Sequence, residues 1–308
     1  MLFKKIFISV VLSFLFFSFA ISQEILIVSK VNNEIITNID IENEKKYLIL
    51  LNSNLNQLSE KEIFNLAKNS LIREKIKKKE TDRLFVKQNE DIENKIVKNF
   101  YNKLGFDKEK SFVNFLKKKK INFENLKEKL IIEAFWKRLI YIKFNNRIRI
   151  DEKSIEKDII NYYNSLEKKF EFNLSEIIID VEKDINIKKK EVFNYIDEFG
   201  FKVAANKYSK SDTSKFGGEI GWIRSTRLTK KIKNHISKIN IGEITEPIQT
   251  SNGYIFIKLN DKREIKEKLD LKSELKQQVE FEKNRQLNQF SLNYYKKLKQ
   301  NTSIYESK

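Results

Sequence analysis

The sequence predicts an α+β chain: a mostly helical body closed by a long C-terminal helix and carrying one smaller α+β unit. Three observations point there. Six of the seven glycines lie between Gly200 and Gly253, together with the only proline, Pro247. Turn chemistry is therefore concentrated in one stretch. Outside it, long segments keep apolar residues at three- and four-residue steps with little to interrupt them, and inside it short β-branched runs alternate with turns. A length of 308 residues allows about two domains and a sizeable core.

Residues 1–23 stand apart. Lys4 and Lys5 precede an apolar run over 6–19, with small residues at Ala20 and Ser22. This is the pattern of a secretory leader cleaved near Ser22, and the run is short of the roughly 20 residues that span a bilayer. A retained anchor is the alternative, which the mass of the mature chain distinguishes. An exported chain with no cysteine has no disulfides, so packing alone must hold it together. The formal charge is +18. Export argues against nucleic acid as the partner, and the lysines do not interleave with aromatics on a strand as a base-stacking surface would require. Lys117–Lys120 and Lys188–Lys190 read as solvated surface. An anionic membrane surface and acidic client segments stay open as electrostatic partners.

Taken in order, the mature chain opens with a β-branched run over 24–30, a two-residue turn at Asn32-Asn33 and a second strand at Glu34-Ile35-Ile36. Thr37 with Asp40, and Ser59 with Glu62, have the spacing of helix N-caps. The second of these helices has Ile63, Leu66, Leu71, Ile72 and Ile76 on its apolar face. From 89 to 145 the period remains helical; Asn122 caps a helix whose inward face reads Leu126, Leu130, Ile131, Ala134, Phe135 and Leu139, with Trp136 beside it. Phe112, Phe115, Phe123 and Trp136 are expected to be interhelical core, the alternative being an apolar groove for client chains. Another helix covers 151–166, and a long amphipathic helix covers 264–298. A helix of that length needs an apolar surface elsewhere in the molecule to lie on.

The glycine-rich stretch carries the functional signal. Gly217-Gly218-Glu219-Ile220-Gly221-Trp222, then the run from Gly242 to Thr250, then Gly253-Tyr254-Ile255-Phe256-Ile257-Lys258-Leu259, follow a strand around Leu174-Ser175-Glu176-Ile177. In this order the motifs resemble a parvulin-type peptidyl-prolyl isomerase over about 170–262. Independently, the opening hairpin and helical pair resemble the N-terminal module of the SurA-type periplasmic chaperones. The two resemblances imply a leader at 1–22, a SurA-N-like helical module at 23–168, a parvulin-like unit of the FKBP-type superfold at 169–262, and a C-terminal helical segment at 263–308 that folds back on the N-terminal module.

Prolyl isomerisation requires no cofactor and no metal, and no His, Cys or carboxylate spacing points to a metal site. The barrier is amide resonance, roughly 18–20 kcal/mol, so an enzyme must hold the twisted imide better than the planar one. The family does so with two histidines, a cysteine or aspartate, and a Met/Phe pocket. By resemblance these positions fall on Glu176 and Ile255 for the histidines, on Ser211 or its neighbour Asp212 for the third polar group, and on Leu228 and Ile232 for the pocket, with Ile220 as a further wall. The sole histidine, His235, is expected on the surface. The apolar grip is kept and the polar centre is not, which predicts weak or absent isomerase activity in a periplasmic folding factor that holds unfolded or proline-containing chains, outer-membrane proteins among them. An active isomerase is the alternative reading, and an adaptor in a membrane-bound assembly a third.

Overall fold

The computed structural model describes residues 24–83, 90–164, 169–180, 184–250, 253–265 and 270–306. The expected leader and its cleavage near Ser22 lie outside them. Strands β1 (Ile27–Val31) and β2 (Glu34–Thr37) form the hairpin expected around Asn32, whose φ of 53° is the left-handed conformation such a turn requires. Thr37 caps α1 (Asn38–Leu51) and Ser59 caps α2 (Glu60–Asp82), each as a full capping box with Asp40 and Glu62. Helices α3 (Glu90–Lys103), α4 (Glu109–Lys118) and α5 (Phe123–Phe144) complete the first bundle. Phe112 is fully buried there, within ring-contact distance of Phe100, Tyr101, Phe106 and Phe123. Phe115 and Phe123 pack half-buried on the same core, and Trp136 is fully buried. These four aromatics are core, not an open groove.

The buried stripe of α5 differs from the expected one. Ile132, Trp136, Leu139, Ile140 and Phe144 are buried with Leu126, while Leu130, Ile131, Ala134 and Phe135 are only partly covered. The reason is that α5 packs against α2 on one side and against the last helix on another, so no single 3.6-residue stripe describes it.

Helix α6 (Glu152–Asn164) leads to β3 (Phe170–Ile179), followed by α7 (Ile185–Phe199), α8 (Phe201–Tyr208), β4 (Glu219–Arg224), α9 (Lys230–Ile236), β5 (Ile248–Thr250) and β6 (Gly253–Glu264). The sheet is antiparallel throughout, in the order β4-β3-β6-β5. One face, with Ile177, Ile179 and Phe256, joins Val192, Ile196, Phe201 and Val203 of α7 and α8 in an apolar core continuous with that of the first bundle. The other face carries a separate core including Leu174, Ile223, Ile255 and Leu259.

The long helix, α10 (Leu271–Gln300), begins later than expected. Glu264 belongs to β6, where it pairs with Phe170, so the ladder takes the first residue that the apolar period assigned to the helix. The sheet therefore runs two residues past the expected boundary at 262, and the helix starts at the Asp270 cap. Leu287, Phe290, Tyr294 and Leu298 of α10 lie on Trp136, Leu139, Ile140 and Phe144 of α5. The Trp136 indole N–H donates to Ser291 Oγ at 2.9 Å, and Phe144 stacks on Phe290 with centroids 5.0 Å apart. Strand β7 (Ile304–Glu306) then pairs with β1, so the end of the described chain completes the first sheet.

Charge also joins the parts. Glu133 of α5 receives Lys77 of α2 at 2.7 Å and Lys215 from the turn before β4. Burial alone would raise the Glu133 carboxyl, but Lys215 and then Lys77 outweigh it and hold the group well below the usual carboxylate range. A depressed carboxyl stabilises the fold above its unfolded value of about 4.3, and that contribution is lost as pH falls toward the folded value. Glu133→Gln leaves two cations facing an uncharged group. It is expected to cost about 2–3 kcal/mol at neutral pH, less than the roughly 3–5 kcal/mol of a fully enclosed pair because Lys215 keeps 19% side-chain exposure. Urea melts at pH 7 and at pH 3 check this: the deficit should narrow in acid, and an equal deficit at both values would contradict it.

Candidate functional site

The site is built on β3, which the flanking loops approach at backbone distance. The amide of Glu176 donates to the Gly218 carbonyl at 2.8 Å, and a Cβ on Gly218 would stand 2.3 Å from the Glu176 carbonyl oxygen. At Gly253 a Cβ would stand 1.9 Å from the Ile179 carbonyl oxygen. Close approach is thus the physical reason for glycine at these two positions. On the other side Ser209 pins the loop to the strand. Its Oγ accepts from the Ile178 amide at 3.0 Å, and the Lys210 amide donates to the Ile178 carbonyl at 2.7 Å.

This places Ser211 on Glu176. Ser211 Oγ donates to Glu176 Oε1 at 2.7 Å, and Thr213 Oγ1 donates to the same oxygen at 3.0 Å. The two hydroxyl oxygens are themselves 3.0 Å apart. Thr213 was not among the residues expected from the sequence. The signal for it is local: Ser211 caps the 3-10 turn Asp212–Phe216 by accepting from the Thr213 amide, which brings both side chains to one side of the loop. Asp212, expected as an alternative to Ser211, instead points to Lys77 at 3.7 Å and takes no part in the trio. Burial raises the Glu176 carboxyl above its ordinary value, and the hydrogen bonds from Ser211 and Thr213 only partly oppose this.

Of the apolar positions, Leu228 and Ile255 are buried in one cluster with Leu174, Ile223, Ile248 and Ile257, and Ile220 and Ile232 pack on it half-buried. All four expected residues therefore meet. Ile255 lies opposite Ile178 and Glu176 opposite Ile257 in the β3–β6 ladder. Since alternate residues share a face, Glu176 looks out on the same side as Ile178 and this cluster. Ile255 brings no polar group to it. His235 hydrogen-bonds through Nδ1 to the Lys231 carbonyl within its own helix, at 2.8 Å, and is absent from the trio. The arrangement can hold an apolar ring beside a carboxyl that accepts two hydrogen bonds; it has no imidazole pair.

A small antiparallel sheet flanked by helices, with an apolar cluster and a polar trio on one face, defines a rotamase-like unit, and the sequence of residues 182–261 matches the PPIC-type PPIASE (rotamase) domain. The chain is 30% identical over 207 residues to the foldase protein PrsA 4 of Bacillus cereus, covering 66% of this chain and 64% of that one. It is 29% identical over 153 residues to the foldase protein PrsA 2 of Bacillus anthracis, covering 49% and 50%, and 26% identical over 155 residues to the chaperone SurA of Pseudomonas putida, covering 46% and 36%. The chain thus spans about two thirds of the length of PrsA 4, about half that of PrsA 2 and about a third that of the SurA protein. Among solved structures, a SurA-like chaperone from Campylobacter jejuni aligns with 92% of this chain and 99% of that chain, at 16% identity and a TM-score of 0.38. Residues 182–261 thus carry a PPIC-type rotamase domain, and the chain is similar over part of its length to PrsA foldases and SurA chaperones.

The Glu176 carboxyl gives a pH test of the trio. A raised acidic group stabilises the fold below its unfolded value, about 4.3, and that stability is lost as pH rises through the folded value. Glu176→Gln keeps an acceptor for Ser211 and Thr213 but removes the buried charge, so it should melt higher than the wild type at pH 7. The advantage should vanish near pH 4 in a melting series. A Glu176→Gln protein that melts lower at pH 7 would contradict the environment described.

Proposed function

We propose that the protein is an exported folding factor that holds unfolded, outer-membrane-type polypeptides through its helical module and its parvulin-like unit, with little turnover of prolyl bonds. The proposed layout is a leader at 1–22, the helical module, the parvulin-like unit and the closing helix. The observation that carries the reading is the composition of the shared face of β3: the apolar cluster of Leu228, Ile255, Ile220 and Ile232 stands intact beside Glu176, while the facing strand offers only Ile255. Prolyl catalysis in this family uses a pair of imidazoles that donate and accept. One carboxyl already occupied by two hydroxyl donors is a poor substitute. Holding an extended chain asks less, namely apolar contact and main-chain hydrogen bonds. An envelope location is supported by the leader pattern at 1–22.

One observation favours a second reading, that of an active peptidyl-prolyl isomerase. A carboxyl raised by burial is available as a hydrogen-bond donor to a twisted imide. The two readings share the grip and differ in whether exchange is accelerated.

The holding role is tested by diluting a urea-unfolded outer-membrane β-barrel protein into buffer and following light scattering. A few-fold molar excess of the mature chain should suppress aggregation, and Glu176→Gln should suppress it equally because the carboxylate is not needed for holding. No suppression at several-fold excess would sink this reading.

A further inference from the structure

A recess of about 770 Å³ lies where the three parts of the molecule meet, well within the size range of ligand sites. One wall comes from α1 and α2, another from the end of β3 and the loop after α8, and the third from α10. Six cationic side chains line it: Arg73, Lys207, Lys210, Lys215, Lys296 and Lys299. Among the described residues, Asp180 is the only carboxylate that lines it. Three of the cations are compensated: Lys207 by Glu62 at 3.6 Å, Lys215 by Glu133, and Lys296 by Asp180 at 3.5 Å. The other three, Arg73, Lys210 and Lys299, have no carboxylate within ion-pair distance among the described residues. Arg73 rests over the Tyr295 ring at 5.7 Å.

Three like charges gathered in a recess repel one another, and low-dielectric walls strengthen the field they share. Burial pushes the Lys210 amine below the ordinary lysine value; Asp180 opposes this, and Arg73, Lys299 and Lys188 add to it. Such a group gains from an incoming anion. The remaining surface is not that of a simple anion hole. Leu48, Leu55, Leu66, Ile178 and Ile179 supply aliphatic wall, and Asn69, Asn206 and Asn293 supply amides able to meet a peptide main chain.

We propose that this recess is a binding site for an acidic segment of an extended polypeptide, its carboxylates meeting Arg73, Lys210 and Lys299 and its aliphatic groups meeting Leu48, Leu55 and Ile178. Of the lining residues only Ile178 also packs on the apolar cluster around Leu228. That the occupant is a polypeptide rests on the reading of a folding factor; the anion preference rests on the charges alone. Ser209 and Ser214 also line the recess, so an occupant touches the loop that carries Ser211 and Thr213.

The test uses the full mature chain and two labelled extended peptides, one alternating Glu with Leu and the other Gln with Leu, read by fluorescence anisotropy. The Glu peptide should bind at least about tenfold more tightly than the Gln peptide, and rising salt should erode the difference. The Arg73→Gln/Lys210→Gln/Lys299→Gln protein should lose the preference. Lys117→Gln/Lys118→Gln, on the exposed side of α4, should keep it. Because the triple change removes mutual repulsion, its melting temperature should equal or exceed that of the wild type; Lys210→Gln alone gives a partial loss in an otherwise unchanged recess. Equal affinity for the two peptides, or an undiminished preference in the triple variant, would overturn the site. Inorganic phosphate binding as tightly as the Glu peptide would overturn the assignment to a polypeptide. Neither result depends on the aggregation assay, so this site and the holding role fail separately.

Discussion

The structure depends on one half-buried carboxylate, Glu133, and the two lysines that meet it. Lys77 comes from α2, Glu133 from α5 and Lys215 from the turn that precedes β4, so the cluster closes only when the helical module and the sheet unit are docked. An unpaired charge in this partly covered place is costly, which favours the docked geometry that brings all three groups together. The consequence reaches the candidate site. Lys215 and Asp212 lie on the same 3-10 turn as Thr213, and Ser211 caps that turn. Asp212 turns toward Lys77 of the helical module while its neighbours on either side turn toward Glu176. The loop that completes the polar trio is therefore held from outside its own unit.

The last helix provides the second tie. Near its start Glu274 is buried and receives Arg224 of β4 at 2.6 Å and Thr226 at 2.9 Å. Its other half lies on α5 through Trp136, Phe144 and their partners. Direct bonds between the units reinforce it: Asn52 to Asn206 at 2.6 Å, and Tyr195 to Glu62 at 3.0 Å. With the core also continuous from the first bundle into one face of the second sheet, α10 spans parts that already share an interior. The opposite face of that sheet has its own smaller core, around Leu174, Ile223, Leu228 and Ile255.

Much of this was legible where local chemistry decides the outcome. The two capping boxes, the Asn32 turn and the glycine-rich loops are short-range devices, and the residues that make them lie within a few positions of one another. That the four apolar residues would converge was also readable, because resemblance fixed their order along the chain. What was not legible depends on partners distant in sequence. The covered face of α5 is set by α10, some 150 residues on, as the Trp136 to Ser291 bond shows. The end of β6 is set by a ladder that claims Glu264, and α10 begins only at the Asp270 cap. Strand β7 is three residues long and exists because β1 offers an edge. Asp212 and Thr213 exchange importance because a 3-10 turn separates them in direction, and Lys77 on another unit decides which way Asp212 points.

The proposed reading rests on a face that sets an apolar cluster beside one carboxyl, Glu176, which accepts from Ser211 and Thr213. The most direct measurement is the cis/trans exchange rate of a prolyl peptide, by NMR exchange spectroscopy, with and without the mature chain. Uncatalysed exchange takes on the order of tens to hundreds of seconds at 25 °C. Exchange close to that rate in the presence of a wild-type chain that still binds the peptide is the expected result. Strong acceleration by the wild type, lost in Leu228→Ala/Ile232→Ala, would contradict it and establish an active isomerase.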